Sequence, residues 1–106
     1  MKSHLATVRN WEVLAHQTRY CNKALARLVK SSDRQLERFF LEKFGQSPHE
    51  QLNDFRMSKA KILLMEGKTS KEISNELGFK NSSHFCQFFK RESGMTPLRF
   101  ASRSNH

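Results

Sequence analysis

Cysteine, proline and glycine are scarce in this chain of 106 residues: two, two and four. Cys21 and Cys86 lie far apart in the sequence and build no disulfide framework, so reduced thiols and a cytoplasmic setting are expected. No apolar run reaches the ~20 residues a membrane span needs, and the start MKSHLATVRN lacks the apolar core of a signal peptide. No stretch shows the strict alternation of a half-buried strand, which leaves an all-α fold. Glycine-rich phosphate loops and paired buried carboxylates are also missing. His84 and Cys86, two apart on one helix, point about 200° away from each other and do not form a nucleophile–base pair. His16 and Cys21 flank a connector without a second ligand pair. Catalysis, a metal and any other cofactor are therefore not expected.

Acidic residues are few as well: ten Asp and Glu stand against nineteen Lys and Arg, a net charge of +9. Such a balance favours a polyanionic partner, whether DNA, RNA or an acidic membrane surface, and basic ribosomal proteins share it. What is abundant is phenylalanine, nine residues in a chain that is 37% hydrophobic. That suffices for one small domain with one core.

With so few glycines and prolines, those present act as punctuation. A first helix is expected over about 3–16, with Leu5, Val8, Trp11 (or Leu14) and Ala15 at helical spacing. Residues 16–21 read as a polar connector, and Asn22 as the cap of a second helix over about 23–30, its inner face Leu25, Ala26, Leu28 and Val29. The third, 33–44, turns Leu36, Phe39 and Phe40 inward and stops at Gly45. Ser47-Pro48-His49-Glu50 joins a capping box to a first-turn proline and opens the longest helix, about 48–66, with Leu52, Phe55, Ala60, Leu63 and Leu64 on its apolar face. Thr69 with Glu72 is another capping-box spacing; a short helix follows and Gly78 ends it. Asn81 or Ser82 caps the next, in which Phe85, Phe88 and Phe89 share one edge at ~100° per residue. Gly94 stops that helix, Thr96-Pro97 opens the last, and 101–106 reads as a frayed polar tail.

Shifted onto itself by 49 residues, the chain repeats. Leu36 meets Phe85, Phe39 meets Phe88, Phe40 meets Phe89, Gly45 meets Gly94, and Ser47-Pro48 meets Thr96-Pro97. With one extra residue in the second turn, Leu25 meets Ile73, Ala26 meets Ser74 and Val29 meets Leu77. Each half is a helix, a turn, an amphipathic helix, a glycine stop and a capped proline start: two helix-turn-helix units, at about 5–47 and 69–102, joined by the helix at about 48–66.

The pattern I-S-x-x-L-G-F-x-x-x-x-x-F-x-x-x-F-K-x-x-x-G-x-T-P-x-x-F at Ile73–Phe100 resembles the signature of the AraC/XylS transcription regulators. The first half matches more weakly through Leu25-Ala26, Leu36, Phe40, Gly45, Ser47-Pro48, Arg56, Ala60 and Leu63-Leu64. The resemblance covers roughly residues 5–101; Ser74 stands where alanine is usual and Gln51 where an aromatic is. It implies a seven-helix module that places two recognition helices in successive major grooves of an asymmetric duplex site. A methyl-accepting repair function occurs beside such modules, but its cysteine cluster is missing here.

The residues supply their own site. A recognition helix needs an apolar edge to hold it and a polar edge to read bases. In the first unit Arg34 and Arg38 lie one turn apart, opposite Leu36 and Phe40, and arginine pairs bidentately with guanine O6 and N7. Glu37 flanks them as an acceptor for cytosine N4 or a neutraliser of a neighbouring arginine, and Gln35 lies nearer the core boundary. The rival is a solvated face with intrahelical ion pairs to Glu37 or Glu42. In the second unit the edge is Ser82, Ser83, Cys86 and Gln87, chemically poorer, so the first unit is expected to carry more base specificity. Lys90 and Arg91, and the helix starts at Ser47, Thr69 and Thr96, suit phosphates. Sixteen or so residues of the joining helix span about 24 Å, the order of the ~34 Å between major grooves once flanking helices are added. The partner expected is double-stranded DNA, bound by a monomer. The alternative is a module that docks on RNA polymerase or another regulator through the joining helix (Lys59, Lys61, Lys68), with only non-specific DNA affinity. RNA is disfavoured because the rings sit on the packing edge rather than on an exposed platform.

Overall fold

A computed structural model describes residues 4–104. It is all-helical, with a 3-10 turn at His4–Thr7 followed by α1 (Trp11–Gln17), α2 (Asn22–Leu28), α3 (Asp33–Phe44), α4 (Pro48–Met65), α5 (Ser70–Glu76), α6 (Ser82–Ser93) and α7 (Pro97–Ser104). No strand occurs among the described residues. The chain divides into two compact units, residues 1–55 and 56–106, and the boundary falls within α4.

In the first unit α2 packs on α3. Leu5, Trp11, Ala15, Tyr20, Leu25, Ala26, Leu36, Phe40 and Leu52 are buried. The Trp11 indole meets Phe40 edge-on at 4.9 Å and Phe39 at 5.6 Å. Phe44 continues the stack, 5.0 Å from Phe40 and 5.9 Å from Phe55. His4 Nε2 donates to the Val29 carbonyl at 3.0 Å and ties the N-terminal turn to the end of α2.

In the second unit α5 and α7 both pack on α6. Ile73, Leu77, Phe85 and Phe89 are fully buried and Phe88 nearly so. Phe89 stacks on Phe100 at 5.4 Å. The Arg56 guanidinium lies 4.5 Å from the Phe79 ring centre and 5.6 Å from that of Phe88, so a cation from α4 covers the turn and the back of α6. Buried Ser74 donates its hydroxyl to the Lys71 carbonyl at 2.8 Å, which lets a polar group stand in an apolar seat.

The two units repeat each other in detail. Ser32 caps α3 and Asn81, 49 residues on, caps α6; each accepts the backbone N–H three residues later. Gly45 and Gly94 end these helices at φ +77° and +82°. In the preceding turn Ser31 N–H bonds to Ala26 O at 2.8 Å, and Phe79 N–H to Ser74 O at 2.9 Å. That turn needs a left-handed residue. The second unit uses Gly78 at φ +79°, and the first forces Lys30 into the same role at φ +55°.

Several expectations are corrected. The first helix is interrupted at residues 8–10, so only Trp11–Gln17 is α-helical. The connector at 16–21 is not simply polar: Tyr20 is buried and its hydroxyl is 3.1 Å from His16 Nδ1. Arg19 and Tyr20 both adopt left-handed backbone there, ending α1 without a glycine. Asn22 opens α2 from inside and Cys21 is the residue at its cap. Leu28 is about half exposed rather than inward, and Met57 joins the core. Residues 101–104 continue α7; 105 and 106 lie outside the described residues.

A β-carbon in left-handed backbone costs about 1–2 kcal/mol, partly offset by the greater chain entropy glycine loses on folding. Lys30→Gly is therefore expected to stabilise the protein by about 0.5–1 kcal/mol and Gly78→Ala to destabilise it by about 1 kcal/mol, read from chemical denaturation. In the capping box of α5, Thr69 N–H donates to the Glu72 carboxylate at 3.0 Å and Glu72 N–H donates to the Thr69 hydroxyl at 3.1 Å. The bond from the Thr69 backbone, chiefly, with help from its hydroxyl and from Lys68, holds the Glu72 carboxyl below its ordinary value. A depressed carboxyl stabilises the fold when ionised, and that contribution disappears as pH falls through the lowered value. Thermal melts of Glu72→Gln should lie below wild type at neutral pH and converge with it in acid.

Candidate nucleic-acid interface

Helix α3 is held on one side by Leu36 and Phe40 and at both ends by its caps, which leaves one exposed edge. Arg34, Glu37 and Arg38 all lie on it, exposed. Among the described residues neither Arg34 nor Arg38 makes an ion pair, so the intrahelical pairing to Glu37 or Glu42 that would make this an ordinary solvated face is not formed. Both guanidinium groups are left with their donors turned outward. Gln35 is engaged differently: its Oε1 accepts the Ser32 backbone N–H at 3.2 Å and closes the α3 capping box. The amide nitrogen of that side chain, not its oxygen, remains for an outside partner.

Helix α6 is held in the same way by Phe85, Phe88 and Phe89. Ser83 and Gln87 are exposed and occupy the positions of Arg34 and Arg38 under the 49-residue shift. Ser82 and Cys86 are half-buried, and the Cys86 thiol donates toward the Ser70 hydroxyl of α5 at 3.8 Å. Cys86 therefore faces the seam between α5 and α6 more than the outer edge. His84 is exposed, and its backbone N–H is taken by the Asn81 cap.

The expected phosphate contacts are unequal. Lys90 is exposed near the C-terminal end of α6. Arg91 Nε sits 3.4 Å from the Glu92 carboxylate while its guanidinium lies 5.7 Å from the Phe88 ring centre. The Ser47 hydroxyl accepts from Glu50 N–H at 3.3 Å and donates to the Glu50 carboxylate at 3.0 Å. At the starts of α4 and α5 a carboxylate thus already occupies the place an incoming phosphate would take, with Glu50 and Glu72 respectively. The start of α7 is open: Thr96 Oγ1 accepts from Arg99 N–H at 3.2 Å, and no acidic residue lies in the first turn. Exposed Arg99 stands beside it, a cation that motif spacing did not single out. Leu41 is half exposed on the same edge of α3, three residues beyond Arg38.

Charge is divided unevenly between the units. Residues 1–55 hold nine Lys and Arg against six Asp and Glu, and residues 56–106 hold ten against four, so +6 of the +9 belongs to the second unit. No group of three or more potential metal ligands occurs among the described residues, and no helix there is long and apolar enough to cross a membrane.

Comparison with known proteins agrees with this duplicated helical fold. A family model described as a helix-turn-helix domain matches residues 25–103. The HTH-type transcriptional activator RhaS of Escherichia coli is 31% identical over 98 residues, covering 92% of this chain and 31% of RhaS. YobQ of Bacillus subtilis, an HTH-type transcriptional regulator, is 38% identical over 60 residues, covering 56% of this chain and 25% of YobQ. The chain thus spans about a third or less of the length of these relatives. Among solved structures, an AraC-type regulator from Chromobacterium violaceum superposes with a TM-score of 0.75 at 24% identity, covering 89% of this chain and 88% of that one. The C-terminal domain of the response regulator yesN from Fusobacterium nucleatum gives 0.73 at 25% identity, covering 84% and 90%. The chain belongs to the AraC-type helix-turn-helix family, the DNA-binding domains of transcription regulators.

Proposed function

We propose that this chain binds duplex DNA sequence-specifically, inserting α3 and α6 into successive major grooves of a non-palindromic site. The observation that carries the reading is the duplicated helix with a buried phenylalanine edge and an exposed polar one, which in the first copy carries Arg34 and Arg38, without ion pairs among the described residues. Arg34 and Arg38 read guanine, with Glu37 accepting from a neighbouring cytosine and Gln35 contributing its amide nitrogen. Ser82, Ser83, Cys86 and Gln87 form the second edge, in which Gln87, suited to adenine N6 and N7, is the strongest discriminator. Lys90, Arg91 and the open helix start at Thr96 contact phosphates, whereas at Thr69 and Ser47 a phosphate contact requires the Glu72 and Glu50 carboxylates to move aside. The two units divide the work. The second, with twice the net charge and the plainer edge, supplies most of the salt-sensitive grip, and the first supplies most of the sequence preference.

A second reading has an observation of its own. Ile62 and Met65 on α4 are about half exposed, flanked by exposed Lys61. Such a surface suits a protein partner such as RNA polymerase or another regulator, and the two roles are compatible.

Selection from a random-sequence duplex pool at moderate salt separates them. The DNA-reading function predicts an enriched motif with two boxes about one helical turn apart. Retention without a motif would contradict it and leave the protein-docking reading. On the selected site, Arg38→Ala is expected to lose about 1–3 kcal/mol and relax the preference at one position. Lys90→Ala should weaken all sequences alike and reduce the salt slope by about 1.

A further inference from the structure

Position 41 distinguishes the two helices on their exposed edge by an apolar side chain in one copy and a cation in the other. At ~100° per residue, Arg34, Arg38 and Leu41 fall within an arc of about 60°. Leu36 and Phe40, both buried, lie on the other side of the helix. Leu41 is 50% exposed and its side chain is turned away from that core. The 49-residue shift brings it onto Lys90 of α6, also exposed. One copy thus offers an ammonium group and the other a branched hydrocarbon.

Solitary exposed leucines are common on protein surfaces and need no special reason. This one is aligned with two outward, unpaired arginines in a basic, DNA-binding chain. Against a duplex, leucine neither neutralises a phosphate nor makes a hydrogen bond. The major groove offers one apolar group, the C5-methyl of thymine. Leu41 lies about 4.5 Å further along the helix than Arg38, close to the ~3.4 Å rise of one base-pair step. An arginine at 38 engaged with guanine would leave the shorter side chain at 41 over a base one or two steps away.

We propose that Leu41 is a specificity-determining residue that packs on a thymine methyl one or two base pairs from the guanine read by Arg38. The inference rests on α3 docking in the major groove as set out above. In the second unit Lys90 takes the phosphate instead, so thymine preference of this kind belongs to the first box alone.

The test uses the duplex recovered from pool selection. Each thymine of the first box is replaced in turn by deoxyuridine, which removes the methyl and keeps the pairing. Dissociation constants are measured at one salt concentration for wild type, Leu41→Ala, Leu41→Lys and Arg38→Ala. Because Leu41 is exposed, these variants are expected to fold, and circular dichroism checks it. One deoxyuridine should weaken wild type about three- to tenfold, roughly what a buried methyl contributes. The same replacement should leave Leu41→Ala unchanged, and Leu41→Lys should bind more tightly overall while losing that thymine preference. If every deoxyuridine affects wild type and Leu41→Ala equally while Arg38→Ala still loses affinity, Leu41 does not read thymine and the docking of α3 stands. If Arg38→Ala is silent too, the docking itself fails and the role of Leu41 falls with it.

Discussion

Burial of phenylalanine on the back of α3 and of α6 is the constraint from which the rest of this molecule follows. Phe40 and Phe89 are completely buried at equivalent positions, each inside a stack of further rings. Emptying a site of that size costs about 3–5 kcal/mol, against roughly 5–15 kcal/mol for the stability of a whole domain. Neither helix can therefore roll about its axis to present another face. The caps at Ser32 and Asn81 and the left-handed glycines at 45 and 94 fix where each helix begins and ends. With one side and both ends held, the outward edge is determined by subtraction.

The two copies solve the same packing problem with different residues. In the second unit Phe100 stacks on Phe89. Its counterpart in the first unit is Gln51, which cannot do this, and the ring is supplied by Phe44, wedged between Phe40 and Phe55. Gln51 is used instead to accept from the Gln46 side-chain amide at 2.7 Å, an amide that also reaches Asp54 at 2.7 Å. At the turns before α3 and α6, Lys30 endures the backbone that Gly78 adopts without strain. The scaffold is duplicated at the level of backbone geometry, and its side chains have since diverged.

Punctuated features were legible from sequence, and those fixed by tertiary contact were not. Helix α3 runs over the residues expected because its cap, its phenylalanine edge and its glycine stop are all local. The boundaries of α4 and α6 follow for the same reason. The end of α1 was illegible because it turns on non-glycine residues, Arg19 and Tyr20, whose left-handed backbone is held by the burial of the tyrosine. Leu28 lies outward although its spacing predicts an inner position, and Met57 is buried although the expected apolar face does not include it, since helical period alone does not say which edge residue meets a neighbour. On the exposed edge, the spacing of Arg34 and Arg38 opposite the core is enough to place them outward, whereas an apolar residue such as Leu41 on a polar face gives no motif. Gln35 is only half legible in the same way: Ser32, three residues earlier, takes its side-chain oxygen for the cap and leaves the amide nitrogen for an outside partner.

Methylation interference on the selected duplex tests the central claim most directly, because dimethyl sulfate marks guanine N7 in the major groove and adenine N3 in the minor. If the phenylalanine-backed edges face DNA, interference falls on guanine N7 in the first box, and any second cluster lies about one helical turn away on the major-groove side. Interference confined to adenine N3, or spread evenly along the duplex, would contradict it.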